Sequence, residues 1–105
     1  MPSVYDQYVG CNECLAEITV RYAFENAYAS WPNQSWIAFY CETCGCSNPL
    51  LVHNDGVTEG CLDGAPAPCL VPKRHVSLPG LTVRCDADGL RINSLTLSWV
   101  VPPKK

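Results

Sequence analysis

The chain has 105 residues, a formal charge of -3 at pH 7, 48% apolar and only 16% charged residues. That composition describes one folded domain spanning residues 1-105 and excludes a disordered polymer. The acidic balance disfavours non-specific binding to nucleic acid or anionic lipid, and no apolar run reaches the length of a membrane span.

The N-terminal residues, Met1 to Val9, carry neither the basic region nor the apolar run of a secretory signal. The expectation is synthesis in a reducing cytoplasm, where cysteine doublets read as metal ligands rather than disulfides. Tyr5, Tyr8 and Val9 are expected to pack against the first such doublet, Cys11-Asn12-Glu13-Cys14. Next, Glu17 to Phe24 alternates, with Ile18, Val20, Tyr22 and Phe24 on one face, which predicts a half-buried strand. Residues 25-35 hold Asn26, Ser30, Pro32, Asn33 and Ser35 and predict a loop, with Tyr28 and Trp31 capping the core or forming a contact surface. Asn33-Gln34-Ser35 matches a glycosylation sequon, which has no use in a cytoplasmic chain. Trp36-Ile-Ala-Phe-Tyr40 is apolar on both faces and predicts a covered strand, running directly into the second doublet, Cys41-Glu42-Thr43-Cys44, then Gly45 and Cys46.

In a C-x-x-C doublet both sulfurs fall on one side of a tight turn. Two doublets therefore supply four thiolates, the closed tetrahedral shell of a structural zinc. Cys11, Cys14, Cys41 and Cys44 are the candidate ligands. Bound as thiolates to one Zn²⁺ they add about -2 to the charge. The order doublet, strand, loop, strand, doublet-Gly resembles the zinc-ribbon family with its rubredoxin-like knuckles, over residues 9-47 alone. The resemblance implies those four ligands and a ribbon fold, and the family spans transcription factors, ribosomal proteins and structural staples. The chain departs from rubredoxin knuckles in having Leu15, not glycine, after the first doublet, which weighs against iron.

Residues 48-75 predict a Pro/Gly-rich connecting arm. It contains one hairpin turn at Asn54-Asp55-Gly56, and Cys61 and Cys69 stand at the ends of an irregular stretch. Residues 76-101 predict an antiparallel β unit, with Leu81-Cys85 and Leu90-Ile92 flanking a turn at Asp86-Ala-Asp-Gly89. Leu95, Leu97 and Trp99 alternate out of phase with them, so a reset falls at Asn93-Ser94, and Pro102 to Lys105 is a tail. The fold class is mainly β with little or no helix.

Four cysteines remain. Cys46 is a free thiol, a partner for Cys85 or a replacement ligand; Cys61 and Cys69 form a disulfide if the surroundings oxidise. Cys61, Cys69, His75 and Cys85 alternatively have the residue types for a second zinc, at a spacing that matches no established pattern. His53 reads as a structural histidine. With two histidines, no nucleophile signature and a closed thiolate shell, the expectation is a protein that is not an enzyme. Asp86 and Asp88 are explained by turn chemistry, and a calcium loop would need more carboxylates. The expected role is a zinc-stapled structural or protein-interaction module, a small subunit of an assembly such as a virus or phage particle, with protein partners or self-association. One alternative is a nucleic-acid-binding ribbon using Arg21, Arg84 and Arg91 on one sheet face with Lys73 and Arg74 beside them; another is an extracellular disulfide scaffold.

Overall fold

The computed structural model describes residues 7-63 and 69-104, with side chains at all of these except 62, 63, 69 and 70. The molecule is mainly β, as the alternation implies, with three antiparallel sheets and one short α-helix among the described residues.

Strands β1 (Tyr8–Gly10) and β2 (Glu17–Thr19) pair across the first doublet, Val9 opposite Ile18. Val9 is buried and Tyr8 half exposed, so only part of the expected packing holds; Tyr5 lies outside the described residues. The predicted strand over Glu17 to Phe24 is corrected at Thr19. Its hydroxyl accepts from the Tyr22 amide and caps helix α1 (Val20–Glu25). The segment fits both periods: read at helical spacing, Val20, Ala23 and Phe24 share a face, and those three are buried. The cap and the place of the core decide between the two readings.

The predicted loop over 25-35 is a second correction. Strand β3 (Ala27–Trp31) and a 3₁₀ turn, Pro32–Gln34, lead into β4 (Trp36–Tyr40). Trp31 stacks on Trp36 with centroids 3.7 Å apart, and Tyr28 on Tyr40 at 4.3 Å. These cross-strand stacks tie β3 to β4: Trp31 covers the buried Trp36, while Tyr28 and Tyr40 stack on the exposed side. Strand β4 is covered on both faces, as expected: Ile37 and Phe39 enter the core, and Trp36 is sealed by Trp31.

The predicted arm over 48-75 is a third correction. Strands β5 (Ser47–His53), β6 (Gly56–Asp63) and β7 (Cys69–Ser77) complete a five-stranded sheet of order β3-β4-β5-β6-β7. The Asn54-Asp55 hairpin turn is where the sequence places it, Asp55 taking φ 67°. Pro72 and the neighbouring register shift at Glu59/Gly60 are absorbed because β7 ends the sheet, where a missing amide costs no ladder bond.

Strands β8 (Thr82–Asp86), β9 (Gly89–Asn93) and β10 (Ser98–Val101) form the third sheet. The β8-β9 hairpin is the predicted one. Gly89, φ 124°, is required there: a Cβ would lie 2.1 Å from the Val101 carbonyl oxygen. The strand phase resets after Asn93, but Leu95 and Leu97 precede β10 and are exposed. The expected tail docks instead: the amides of Ser30 and Lys104 bond the carbonyls of Pro102 and Ser30, covering part of the β3 edge. One core joins all of this, from Val9 and Ile18 through α1 and the inner face of the large sheet to Leu90, Ile92 and Val101. The Asn54-Asp55 turn fastens the sheets further, through Asp55 N to Leu81 O at 2.8 Å and Val83 N to Asn54 Oδ1 at 3.1 Å.

A candidate metal centre

Each cysteine doublet is the turn of a hairpin. The first joins β1 to β2, the second β4 to β5. The two turns repeat one hydrogen-bond set. The amide of Cys11 bonds the carbonyl of Ala16 at 3.0 Å, and that of Cys41 the carbonyl of Cys46 at 2.8 Å. The amides of Leu15 and Gly45 return to the carbonyls of Cys11 and Cys41. Glu13 N and Thr43 N donate to the sulfurs of Cys11 and Cys41 at 3.4 and 3.3 Å. Leu15 adopts φ 63° where Gly45 adopts 77°, so the departure at Leu15 is accommodated in the left-handed conformation that glycine takes in the other knuckle, at a cost of about 1-2 kcal/mol.

The two turns meet sulfur to sulfur. Cys11 Sγ lies 3.5 Å from Cys44 Sγ, Cys14 Sγ lies 3.6 Å from Cys41 Sγ, and all four sulfurs fall within 4.8 Å of one another. A tetrahedron with metal–sulfur bonds of about 2.3 Å has edges of about 3.8 Å. The cluster therefore has the donor set and the dimensions of a four-thiolate site and can hold one metal ion. Cys11 and Cys41 sit in the hydrophobic core, while Cys14 and Cys44 are exposed residues whose sulfurs face inward.

The electrostatics alternate around the cluster. Burial pushes the Cys11 thiol up, but the Cys14 amide, the Asn48 side chain and the Glu13 amide outweigh it and hold the pKa down at about 6. The Cys44 amide, with that of Thr43 and the Cys14 thiol, lowers Cys41 against burial. For Cys14 and Cys44 the amides of Ala16 and Cys46 favour the thiolate, but desolvation and the neighbouring sulfurs prevail and raise both. Four thiolates this close repel one another, and a divalent cation removes that cost while displacing the remaining protons.

Asn48 was not legible as part of this centre. It is buried in β5; its Nδ2 donates to Cys11 Sγ at 3.5 Å and its Oδ1 accepts from the Asn12 amide at 2.9 Å. Asn12 in turn donates to the Gly60 carbonyl and accepts from Lys73 Nζ. Glu59 accepts from Gly10 N and pairs with Arg74, whose Nη2 also donates to the Tyr8 carbonyl. This lattice bolts the first knuckle to β5-β7. Asn48 stands between Ser47 and Pro49, just before the apolar run Leu50 to Val52, and reads there as one more turn former.

The other candidates lie elsewhere. Among the described residues, Cys61, His75 and Cys85 do not gather into a metal-binding group, and the Cys69 side chain lies outside those described. His75 stacks on His53 at 5.0 Å, and both approach the Thr58 hydroxyl. Cys85 Sγ donates to the Pro32 carbonyl. Among the described residues Cys46, Cys61 and Cys85 are free thiols, so Cys46 and Cys85 are not joined; the expected Cys61–Cys69 pairing falls on a side chain outside those described. Arg84 and Arg91 are opposite each other across β8 and β9 and share a face there, with Arg91 paired to Asp86 at 2.9 Å, but Arg21 is on α1 and does not join them. Lys73 and Arg74 are engaged with Asn12 and Glu59. Among the described residues, no helix is long and apolar enough to cross a membrane.

No family model, no curated protein and no solved structure matches this chain.

Proposed function

We propose that the four-cysteine centre is a structural zinc site and that the protein is a non-catalytic, zinc-stapled module that joins a protein partner or further copies of itself, as a small subunit of an assembly. The observation that carries the metal reading is the convergence of four sulfurs from two hairpin turns with one shared hydrogen-bond set. The twin knuckles also support the resemblance to the zinc ribbon. Zinc is favoured over the larger menu of metals because a four-thiolate tetrahedron is a closed shell that suits it without redox chemistry. A closed shell leaves no open position for a substrate, which is why the reading is structural rather than enzymatic.

The assembly reading rests on what the fold leaves outward. Strand β7 forms one edge of the large sheet, with Val71 to His75 exposed along it, and Leu95, Leu97 and Val100 are exposed beside β10. Sheet edges and apolar surface are what strand-adding and self-associating proteins use. A virus or phage particle is one setting for such a subunit. The nucleic-acid reading is the weaker one because Arg74 and Arg91 are ion-paired and Lys73 is bonded to Asn12.

Native mass spectrometry of the purified chain tests the metal reading. The expected result is one zinc per chain, lost on chelation, with four thiols protected from alkylation while it is bound. A metal-loaded, folded Cys44→Ser protein with undiminished affinity would overturn the ligand set. Elution as a monomer at all concentrations, with no partner retained, would count against the assembly reading.

A further inference from the structure

The chain has only two histidines, and the large sheet brings them together. His53 ends β5, Thr58 lies on β6 and His75 on β7. Their neighbours Val52, Val57 and Val76 are buried in the core, so alternation turns His53, Thr58 and His75 to the opposite face. There the two imidazoles stack, with centroids 5.0 Å apart and planes 15° from parallel. One hydroxyl serves both rings: Thr58 Oγ1 lies 3.1 Å from His53 Nε2 and 3.5 Å from His75 Nδ1.

The hydrogen bonds assign the His53 nitrogens. Nδ1 lies 3.2 Å from the Asn54 carbonyl, which can only accept, so in the neutral ring Nδ1 carries the proton and Nε2 keeps its lone pair. This is the arrangement of a metal-ligating histidine, whose second nitrogen is tied to a carbonyl or carboxylate. Gly56 makes room for the other ring. The left-handed residue of that turn is Asp55, so the backbone does not call for glycine at 56. A Cβ there would lie 2.6 Å from His75 Cε1 and 2.7 Å from the Val76 carbonyl oxygen.

We propose that His53 and His75 form a second metal site, which takes one divalent transition ion through His53 Nε2 and His75 Nδ1. Metal–imidazole bonds are about 2.0–2.1 Å, so two bound nitrogens stand no more than about 4 Å apart. His75 is exposed on an edge strand, where its ring is free to turn and bring the nitrogens within that distance. The hydroxyl has one proton and gives it to His53 Nε2, so His75 Nδ1 donates in the unbound protein. On binding, the His75 proton passes to Nε2, the other neutral tautomer, and the hydroxyl proton turns away. The donor set fixes the class of ion. Two imidazoles suit Zn²⁺, Ni²⁺ and Cu²⁺, and among the described residues no carboxylate completes a group of three with them, so Mg²⁺ and Ca²⁺ find no oxygen shell. Water fills the remaining positions. The site is therefore open and exchangeable where the four-thiolate centre is closed, and the two share no residue.

The test titrates untagged, zinc-loaded protein with Ni²⁺ as the probe. Isothermal titration calorimetry counts the ions, and proton NMR follows the imidazole Cε1 resonances, which paramagnetic Ni²⁺ broadens. The expected result is one Ni²⁺ per chain, with both histidine resonances lost together. His53→Gln and His75→Gln should each abolish that event, while the zinc content and the circular dichroism spectrum stay as in the wild type. Nickel bound equally by either variant, two ions per chain of which each variant loses one, or no histidine-dependent binding would overturn the proposal. If a variant does not fold, the wild-type NMR titration decides, and broadening of the two resonances at different nickel concentrations would count against a shared ion. A chain isolated without zinc fails the thiolate reading alone. Ni²⁺ can then enter the cysteines, and the ion that both histidine variants lose still decides this proposal.

Discussion

Asn48 illustrates how a single buried amide serves two groups at once. It places a donor against the Cys11 sulfur and an acceptor against the Asn12 amide, where a shorter side chain would leave that amide without its partner and take one of the donors from the sulfur. Asn48→Ala is expected to cost about 1-3 kcal/mol in urea unfolding, the desolvation cost of groups left unpaired. It should also weaken metal affinity by about tenfold to a hundredfold in a chelator competition, because the groups that orient a ligand set its basicity. Asp86 gives the pH dependence. Its side-chain bond to Arg91, with the Asp88 amide, holds its carboxyl below the usual range near about 3.9. The ionised form is therefore favoured in the folded state. The contribution is fully present above about pH 3.9 and is lost as the pH falls through the lower folded value. Urea midpoints of the wild type and Asp86→Asn, measured from pH 6 down to pH 2, should differ near neutrality and converge at the acid end. Protonation of the cysteine cluster affects both proteins alike and cancels in the comparison.

Between residues and the whole stand the elements, and α1 is the one whose identity was contested. Ile18, Val20, Tyr22 and Phe24 satisfy a strand; Val20, Ala23 and Phe24 satisfy a helix. Thr19 resolves the conflict by capping, since its hydroxyl takes the Tyr22 amide that the first turn leaves unbonded. A helix of six residues has little stability of its own and depends on that cap and on packing, where Phe24 meets Trp99 at 5.0 Å. Thr19→Ala is expected to lower stability by about 1 kcal/mol, and Thr19→Ser to restore most of it, as read from thermal unfolding. The β8-β9 hairpin needed no such arbitration. Asp86 Oδ1 accepts the Asp88 amide and Gly89 supplies the positive φ, and both are properties of the four turn residues themselves.

The whole molecule is held by one core in which the cysteine cluster is embedded. Cys11 and Cys41 pack in the same hydrophobic cluster as Leu90, Ile92 and Val101, some of the last residues of the chain. Removing the proposed ion should therefore loosen more than the N-terminal knuckles. With excess chelator, far-UV circular dichroism and tryptophan fluorescence are expected to report a single shared transition, its midpoint lowered by more than about 10 °C. A C-terminal sheet that keeps its own separate transition would contradict this. Local sequence sufficed for the mainly β class, the two cysteine turns, the covered strand before the second of them and the hairpin turns at Asn54-Asp55 and Asp86 to Gly89. These are written in short-range patterns: spacing of two, doublets, and residues that tolerate left-handed backbone. Tertiary contacts were needed to make residues 48-75 continue one sheet rather than form an arm, to coil 20-25, to dock 102-104 on β3, and to set Asn48 against Cys11. Each of those depends on a partner distant in sequence: a neighbouring strand for the amides of β6 and β7, a core for the face of α1, a free edge for Pro103, a sulfur for the Asn48 amide. Backbone and side-chain polar groups must be satisfied somewhere, and local sequence carries no record of where.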